Sequence, residues 1–336
     1  MTETAFPSTE YEVIFRMQQT LGMQHSPFYP VTIGDDAAVR TDSENNTLVI
    51  TTDLSVEDIH FSRSYMTMRE IGYRAMVANV SDCAAMGAVP DSAFVQLVVP
   101  AKPGAPQPDI EDLYTGFREA CDRWQFPVAG GDLSRGNQWV IGITMLGRIP
   151  AGRRTLLRKG MQAGDRIFIT GFPGRSAAGL HLLQTVGRNG IEPRFEPLAR
   201  AHFRPSPQVE TGYYLSGSPA VHAMMDCSDG LSKDCGTLCH ENGLGIILDV
   251  ETSQPPHEMI ELSSETGISW HRWFLHGGED YELLFTASAA FDPQQCPGCR
   301  PICIGECTDK RTGLMIRSGT AFEPLTVEGF DHFSMP

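Results

Sequence analysis

The stretch REIGYRAMVANVSDCAAMG, Arg69 to Gly87, decides how the rest of the chain is read. Ile71, Ala75, Ala78, Asp82 and Ala85 fall at the spacing of one helical stripe, so the segment from Thr67 to Met86 is expected to be a helix with a carboxylate on its apolar face. A charge in that position is costly unless it is paired or bound to a metal ion. Arg74 and Arg69 are possible partners within the same helix, and a cation is the other solution.

Other carboxylates share a position type, at the end of an apolar strand or the start of a helix. Asp53 ends TLVITTD, Asp132 follows FPVAGG, Asp226 ends AVHAMMD and Asp229 opens the segment after it, while Asp35 and Asp36 stand side by side in VTIGDDAAV. Any one of them reads equally well as a turn or capping residue. Converging, Asp36, Asp53, Asp82, Asp132, Asp226 and Asp229 would make an all-oxygen site without zinc-like His or Cys spacing, which suits Mg²⁺ or Mn²⁺ with a nucleotide as co-ligand. Ser228 is expected to cap the helix from Asp229 to Asn242. The glycines of AGGDLSRG and GFPGRSAAGL are read as turns that let backbone approach phosphate.

Composition bounds the function. With 26 basic against 41 acidic residues the net charge is −15, which disfavours nucleic acid and anionic lipid as partners, so an anionic ligand needs a bridging cation. No apolar run approaches the roughly 18 residues of a membrane helix. The acidic start MTETAFPSTEYEVI lacks the features of a signal peptide, and nine cysteines in a chain of 336 residues fit reduced thiols, so a cytoplasmic location is expected. CPGCRPICIGEC, Cys296 to Cys307, is too irregular in spacing for a zinc knot.

Strands are expected at Thr47–Thr52, Ser92–Val99 and Gln138–Arg148, with a second helix from Ile110 to Trp124. A domain boundary is placed near Pro150, giving domains 1–149 and 150–336. The second is expected to hold strands at Arg166–Thr170, Val221–Met225, Gly245–Val250, Tyr281–Thr286, Ile302–Ile304 and Leu314–Ile316. Both halves read as mixed α/β. No P-loop and no protein-kinase motif is present.

IGDDAAV, TTDLSVEDIHF, ANVSDCAAMGAVP, AGGDLSRG, HFRPSPQV, DCSDGLSKD and GGEDYELLFT follow one another in the order and approximate spacing of the thiamine-monophosphate kinase family, which the chain resembles from about residue 10 to its end. The resemblance implies the two-domain fold of the aminoimidazole-ribonucleotide-synthetase-like superfamily, with an N-terminal sheet pairing across a homodimer and a C-terminal α/β domain. It also implies transfer of the ATP γ-phosphate to thiamine monophosphate, giving thiamine diphosphate, with several Mg²⁺ ions. By motif, Asp36, Thr51, Thr52, Asp53, Asp82, Asp132, Asp226 and Asp229 match metal ligands. Tyr114, Gly131, Asp132, Arg158 and Ser228 match nucleotide contacts, and His60, Glu279 and Phe330 match thiamine contacts. Leu133 departs from the pattern, where a threonine is common. No general base is named, because the acceptor phosphate oxygen is already ionised at neutral pH. Asp35 is assigned to orienting its loop or holding metal-bound water. Selenide-activating, hydrogenase-maturation and aminoimidazole-ribonucleotide-forming relatives fit less well, and a non-catalytic nucleotide or metal sensor is the reading from another class.

Overall fold

In the computed structural model, which describes residues 9–22, 26–44, 46–100, 108–309 and 312–333, two sheets flank one buried helix. The N-terminal part runs α1 (Glu10–Leu21), β1 (Ala38–Thr41), β2 (Thr47–Val56), α2 (Met68–Ala85), β3 (Val89–Val99), α3 (Pro108–Trp124), β4 (Val128–Arg135) and β5 (Val140–Arg148). Its strands form a sheet of order β1-β2-β5-β3-β4, antiparallel except for the β3–β4 pair.

The second part runs β6 (Arg166–Ile169), α4 (Arg175–Thr185), α5 (Glu196–Phe203), α6 (Val209–Leu215), β7 (Val221–Cys227), α7 (Leu231–Asn242), β8 (Gly245–Leu248), α8 (His257–Thr266), α9 (Trp270–His276), β9 (Glu282–Ala287), β10 (Ile302–Thr308), β11 (Leu314–Ser318) and β12 (Ala321–Pro324). The second sheet has the order β12-β11-β8-β10-β6-β9-β7, antiparallel except for β8–β11.

Helix α2 starts at a capping box, with Thr67 and Glu70 exchanging side-chain and backbone hydrogen bonds. Nearly all its side chains are buried, which is what a helix enclosed on all sides requires. Ile71, Met76 and Val80 pack against Ile141, Ile143 and Met145 of the first sheet. At its other end Ala84 and Ala85 join the core of Phe168, Phe285 and Leu215 beneath the second sheet. Helix α3 crosses α2 so closely that a Cβ on Gly116 would lie 2.0 Å from the Arg69 carbonyl oxygen. A further core, with Leu231, Leu238, Ile246, Phe274 and Ile304, fills the space between the second sheet and helices α7 and α9.

Four expectations are corrected. AGGDLSRG is strand β4, not a turn: Gly131 lies against β3, where a Cβ would come within 1.9 Å of the Val95 carbonyl oxygen. Ser228 does not cap α7, which begins at Leu231 behind Gly230, and Asp234 accepts from the Gly230 amide instead. Strand β9 begins at Glu282 because Tyr281 sits at a positive φ of 56°. Strand β8 ends at Leu248, and Val250 opens a short 3₁₀ turn.

Candidate functional site

A cleft of about 730 Å³ opens where the two halves meet around α2. The stripe read from the sequence, Ile71, Ala75, Ala78 and Asp82, forms one wall, so the carboxylate on the apolar face looks into this cleft rather than into a core. Neither arginine partner of Asp82 materialises. Arg69 pairs with Glu119 and Arg74 with Glu279, while Asp82 accepts a hydrogen bond from the Thr51 hydroxyl of β2.

Asp36, Asp82 and Asp226 come from three separate elements, yet each offers a carboxylate oxygen within 4.8 Å of the other two. Asp36 reaches the site from the loop before β1, and one of its oxygens, Oδ2, is buried with no hydrogen-bond partner. Its other oxygen accepts from Arg158 Nε at 3.0 Å. Asp226, next to last in β7, accepts from Ser81 at 2.8 Å and from Ser228 at 3.1 Å. Asp53 on β2, Asp229 after β7 and Thr51 and Thr52 line the same cleft. The Asp229 carboxylate pairs with Lys233 at 2.7 Å.

Crowded carboxylates away from water hold their protons. Asp53 is pushed up to about 6 by burial and then by the charges of Asp229 and Asp36. Asp226 rises to about 7 through burial and the Asp36 charge, and Asp82 is driven well above the usual carboxylate range by burial and the charges of Asp53, Asp226 and Asp36. Asp35 is also raised to about 7, by burial and by Asp36. It accepts from the backbone amides of Asp36 and Arg158 at 3.0 and 3.2 Å, so it orders the loop that presents Asp36. An orphaned oxygen, mutual repulsion and an all-oxygen donor set together fit a hard divalent cation.

His60, Glu279 and Phe330 line the same cleft. His60 Nδ1 accepts from the Val56 amide at 3.0 Å, which leaves Nε2 to carry the proton of the neutral ring, 3.4 Å from His332 Nε2. Burial, then the neighbouring His332 and Arg74, lowers His60 to about 4. At neutral pH it is therefore a donor rather than a cation. Glu279 sits at a φ of 67°, a left-handed conformation held by its amide's bond to the Ser228 carbonyl at 2.7 Å. Phe330 is brought over the cleft by its own amide, which bonds the Asp229 carbonyl at 3.1 Å, and by Lys233, which bonds the Phe330 carbonyl.

The sequence offered Arg74 only as a partner for Asp82, and its contacts with His60 and Glu279 were missed. This buried side chain donates to the His60 carbonyl at 2.9 Å and pairs with the Glu279 carboxylate, tying both sides of the cleft to α2. Its place one residue before Ala75 on the Asp82 stripe was the available signal. Ser81, next to Asp82 and bonded to Asp226, was legible in the same way. Asp280 was missed as well. Buried and raised to about 7, it accepts from the Ser176 amide at 2.9 Å and from the Gly174 amide, so it occupies the N-terminus of α4 that GFPGRSAAGL was expected to offer to phosphate.

Tyr114, Gly131 and Asp132 are not brought into this cleft within one chain. Tyr114 is exposed on α3 against Phe117. Asp53, Ile143, Val95 and Gly131 form one row across the first sheet, and Leu54, Gly142, Gln96 and Asp132 form the next. Neighbouring rows point to opposite faces, so Asp132 shares the open face with Leu54, three strand spacings and about 14 Å from β2.

Residues 34–149 match the family model described as AIR synthase related protein, N-terminal domain, and residues 162–291 match AIR synthase related protein, C-terminal domain. The chain is 32% identical over 317 residues to the thiamine-monophosphate kinase of Bacillus subtilis (strain 168), covering 92% of this chain and 95% of that one. It is 35% identical over 318 residues to the thiamine-monophosphate kinase of Salmonella typhimurium, covering 90% and 92%. A solved structure described as AaThiL complexed with AMPPCP and TMP superposes with a TM-score of 0.87 at 28% identity, covering 99% of this chain and 100% of that one. With both domain models matched in order and its relatives aligned over nearly its whole length, the chain belongs to the thiamine-monophosphate kinase family.

Proposed function

We propose that this protein transfers the γ-phosphate of ATP to thiamine monophosphate, giving thiamine diphosphate and ADP, in a reaction assisted by Mg²⁺. The observation that carries the reading is the convergence of Asp36, Asp82 and Asp226 oxygens within 4.8 Å inside a cleft of ligand-binding size, in a chain of this family. Bound there, the cations would neutralise phosphate charge and polarise the transferring group.

The chain's own residues supply position. Asp36, Asp53, Asp82, Asp226 and Asp229, with oxygens of Thr51 and Thr52, would hold several ions in the cleft. Arg158, fixed by Asp36 and by the Asp35 bond to its amide, would meet phosphate oxygens together with Ser228, which bonds Asp226. The Glu279 carboxylate would face the cationic ring system of the acceptor, Phe330 would give it an apolar surface, and His60 Nε2 would donate a hydrogen bond. No general base is required, because the attacking phosphate oxygen is already ionised.

Asp132, Gly131 and Tyr114 complete this reading only if a second copy supplies them, which is the role we propose for the open face of the first sheet in a cytoplasmic homodimer. Leu54, exposed on β2 in the same row as Asp132, supports an interface there. Nucleic acid and membrane are not proposed as partners. Among the described residues no helix is long and apolar enough to cross a membrane.

Purified protein incubated with ATP, MgCl₂ and thiamine monophosphate should yield thiamine diphosphate and ADP in equal amounts by chromatography. ATP binding without that product would refute the assignment.

A further inference from the structure

The turn between β9 and β10 carries Cys296-Pro297-Gly298-Cys299, outside the cleft and without a part in the proposed transfer. Gly298, at a φ of 78°, turns the chain between the two cysteines, whose thiols lie close enough to shift one another's acidity. Thr211 on α6 fixes the turn from the other side. Its hydroxyl donates to the Pro297 carbonyl at 3.2 Å and lies 3.5 Å from Cys299 Sγ. Both cysteines are half-buried, within reach of a small reagent.

Two carboxylates face this turn. Glu282 on β9 acts on Cys299 by its charge, and Glu210 on α6 comes within 3.7 Å of the place a Gly298 Cβ would occupy. Both oppose a thiolate. Beside Cys296, and with the Thr211 hydroxyl 3.5 Å away, the Cys299 thiol is lowered from 9.0 to about 7 in spite of burial and the Glu282 charge. The Cys296 thiol is shifted upward. The pair thus divides into an attacking and a resolving sulfur.

We propose that Cys296 and Cys299 form a thiol–disulfide exchange site that reacts with low-molecular-weight disulfides of the oxidised-glutathione class. The Cys299 thiolate attacks one sulfur of the disulfide; a bond forms to Cys299 Sγ, the disulfide bond breaks and one thiolate leaves, taking up a proton. Cys296 then loses its proton to water and attacks Cys299 Sγ, forming the intramolecular disulfide and expelling the second thiolate, which is protonated in turn. Two protein thiols are oxidised and one small disulfide is reduced to two thiols.

The test treats the reduced full chain with oxidised glutathione, quenches by alkylation and maps the cysteine peptides by mass. The wild type should give a Cys296–Cys299 disulfide reversible by dithiothreitol. Cys296→Ser should stop at a glutathione mixed disulfide on Cys299, and Cys299→Ser should leave Cys296 as a free thiol. Near pH 7, Cys299 should react with iodoacetamide about fivefold faster than a thiol of ordinary acidity, its larger thiolate fraction being partly offset by lower nucleophilicity. Glutathione carried by the exposed Cys303 while Cys299 stays free would overturn the proposal, as would a disulfide joining Cys303 to either member of the pair.

Discussion

Replacing Asp53 by Asn should change the stability of the metal-free protein in a way that depends on pH. Holding Asp53 at about 6 against its ordinary 3.8 corresponds to about 3 kcal/mol, at about 1.36 kcal/mol for each tenfold change in proton affinity. A raised native carboxyl means that the folded state binds more protons than the unfolded one. The native state therefore suffers no penalty below about pH 4, and the cost develops as pH rises through about 6. Adding Asp226 and Asp82 does not multiply the figure, because protonating one carboxyl relieves its neighbours. Buried histidines act in the opposite sense: His60, lowered to about 4, makes the fold gain stability as pH rises toward the ordinary value of 6.5. A raw stability curve mixes the two, whereas the difference between wild type and Asp53→Asn cancels the histidines.

The assay is thermal unfolding of both proteins in EDTA and in MgCl₂, from about pH 4 to about pH 8. In EDTA the variant should match wild type near the acid end and exceed it by about 3 kcal/mol, roughly 5 °C, at the alkaline end. MgCl₂ should raise the wild type increasingly with pH and the variant much less, because a cation stabilises the state that binds it. A difference in EDTA that is the same at both ends of the range would refute the electrostatic account, and equal stabilisation of the two proteins by Mg²⁺ would remove Asp53 from the cation site.

Arg74→Met keeps side-chain bulk but frees Glu279 and the His60 carbonyl; loss of one charged hydrogen bond, about 1.5 kcal/mol, should raise KM for thiamine monophosphate about tenfold and leave KM for ATP unchanged in steady-state kinetics. Equal effects on both substrates would mean that Arg74 acts on the whole fold. Gly116→Ala drives a methyl group into the Arg69 carbonyl and should cost at least about 3 kcal/mol in chemical denaturation, so a wild-type midpoint would show that the two helices separate readily. Asp53→Ala and Asp132→Ala should each be inactive, and if Asp132 serves the other copy, an equal mixture should recover up to about a quarter of wild-type activity, since half the pairs are mixed and each holds one intact site. No recovery after subunit exchange would place Asp132 and Asp53 in the service of the same chain.

The helix around Asp82 and most of the strands were legible because burial leaves a period in the sequence. The glycines of β4 were not, because they serve strand packing: Gly131 is dictated by Val95, a partner that no local pattern reveals. Ser228 looked like a cap because serine before an acidic residue usually is one, but the turn at Gly230 moved the helix start and left the hydroxyl to Asp226. The convergence of Asp36, Asp82 and Asp226 rests on three elements far apart in the chain, so it was suggested by their shared position type and by the family resemblance, not by spacing. One error was avoidable. Arg74 and Asp82 lie eight residues apart on one helix, about 12 Å along its axis, which is too far for an ion pair.

That same interval gives α2 the character of a measuring rod. One straight helix, locked between two sheets, bears the guanidinium that fixes Glu279 near one end and the carboxylate that meets Asp36 and Asp226 near the other. The spacing between the Arg74–Glu279 pair and the Asp36–Asp82–Asp226 cluster is thus governed by a count of residues within one helix. Under the proposed reaction, that interval would make the length of the acceptor matter as much as its charge.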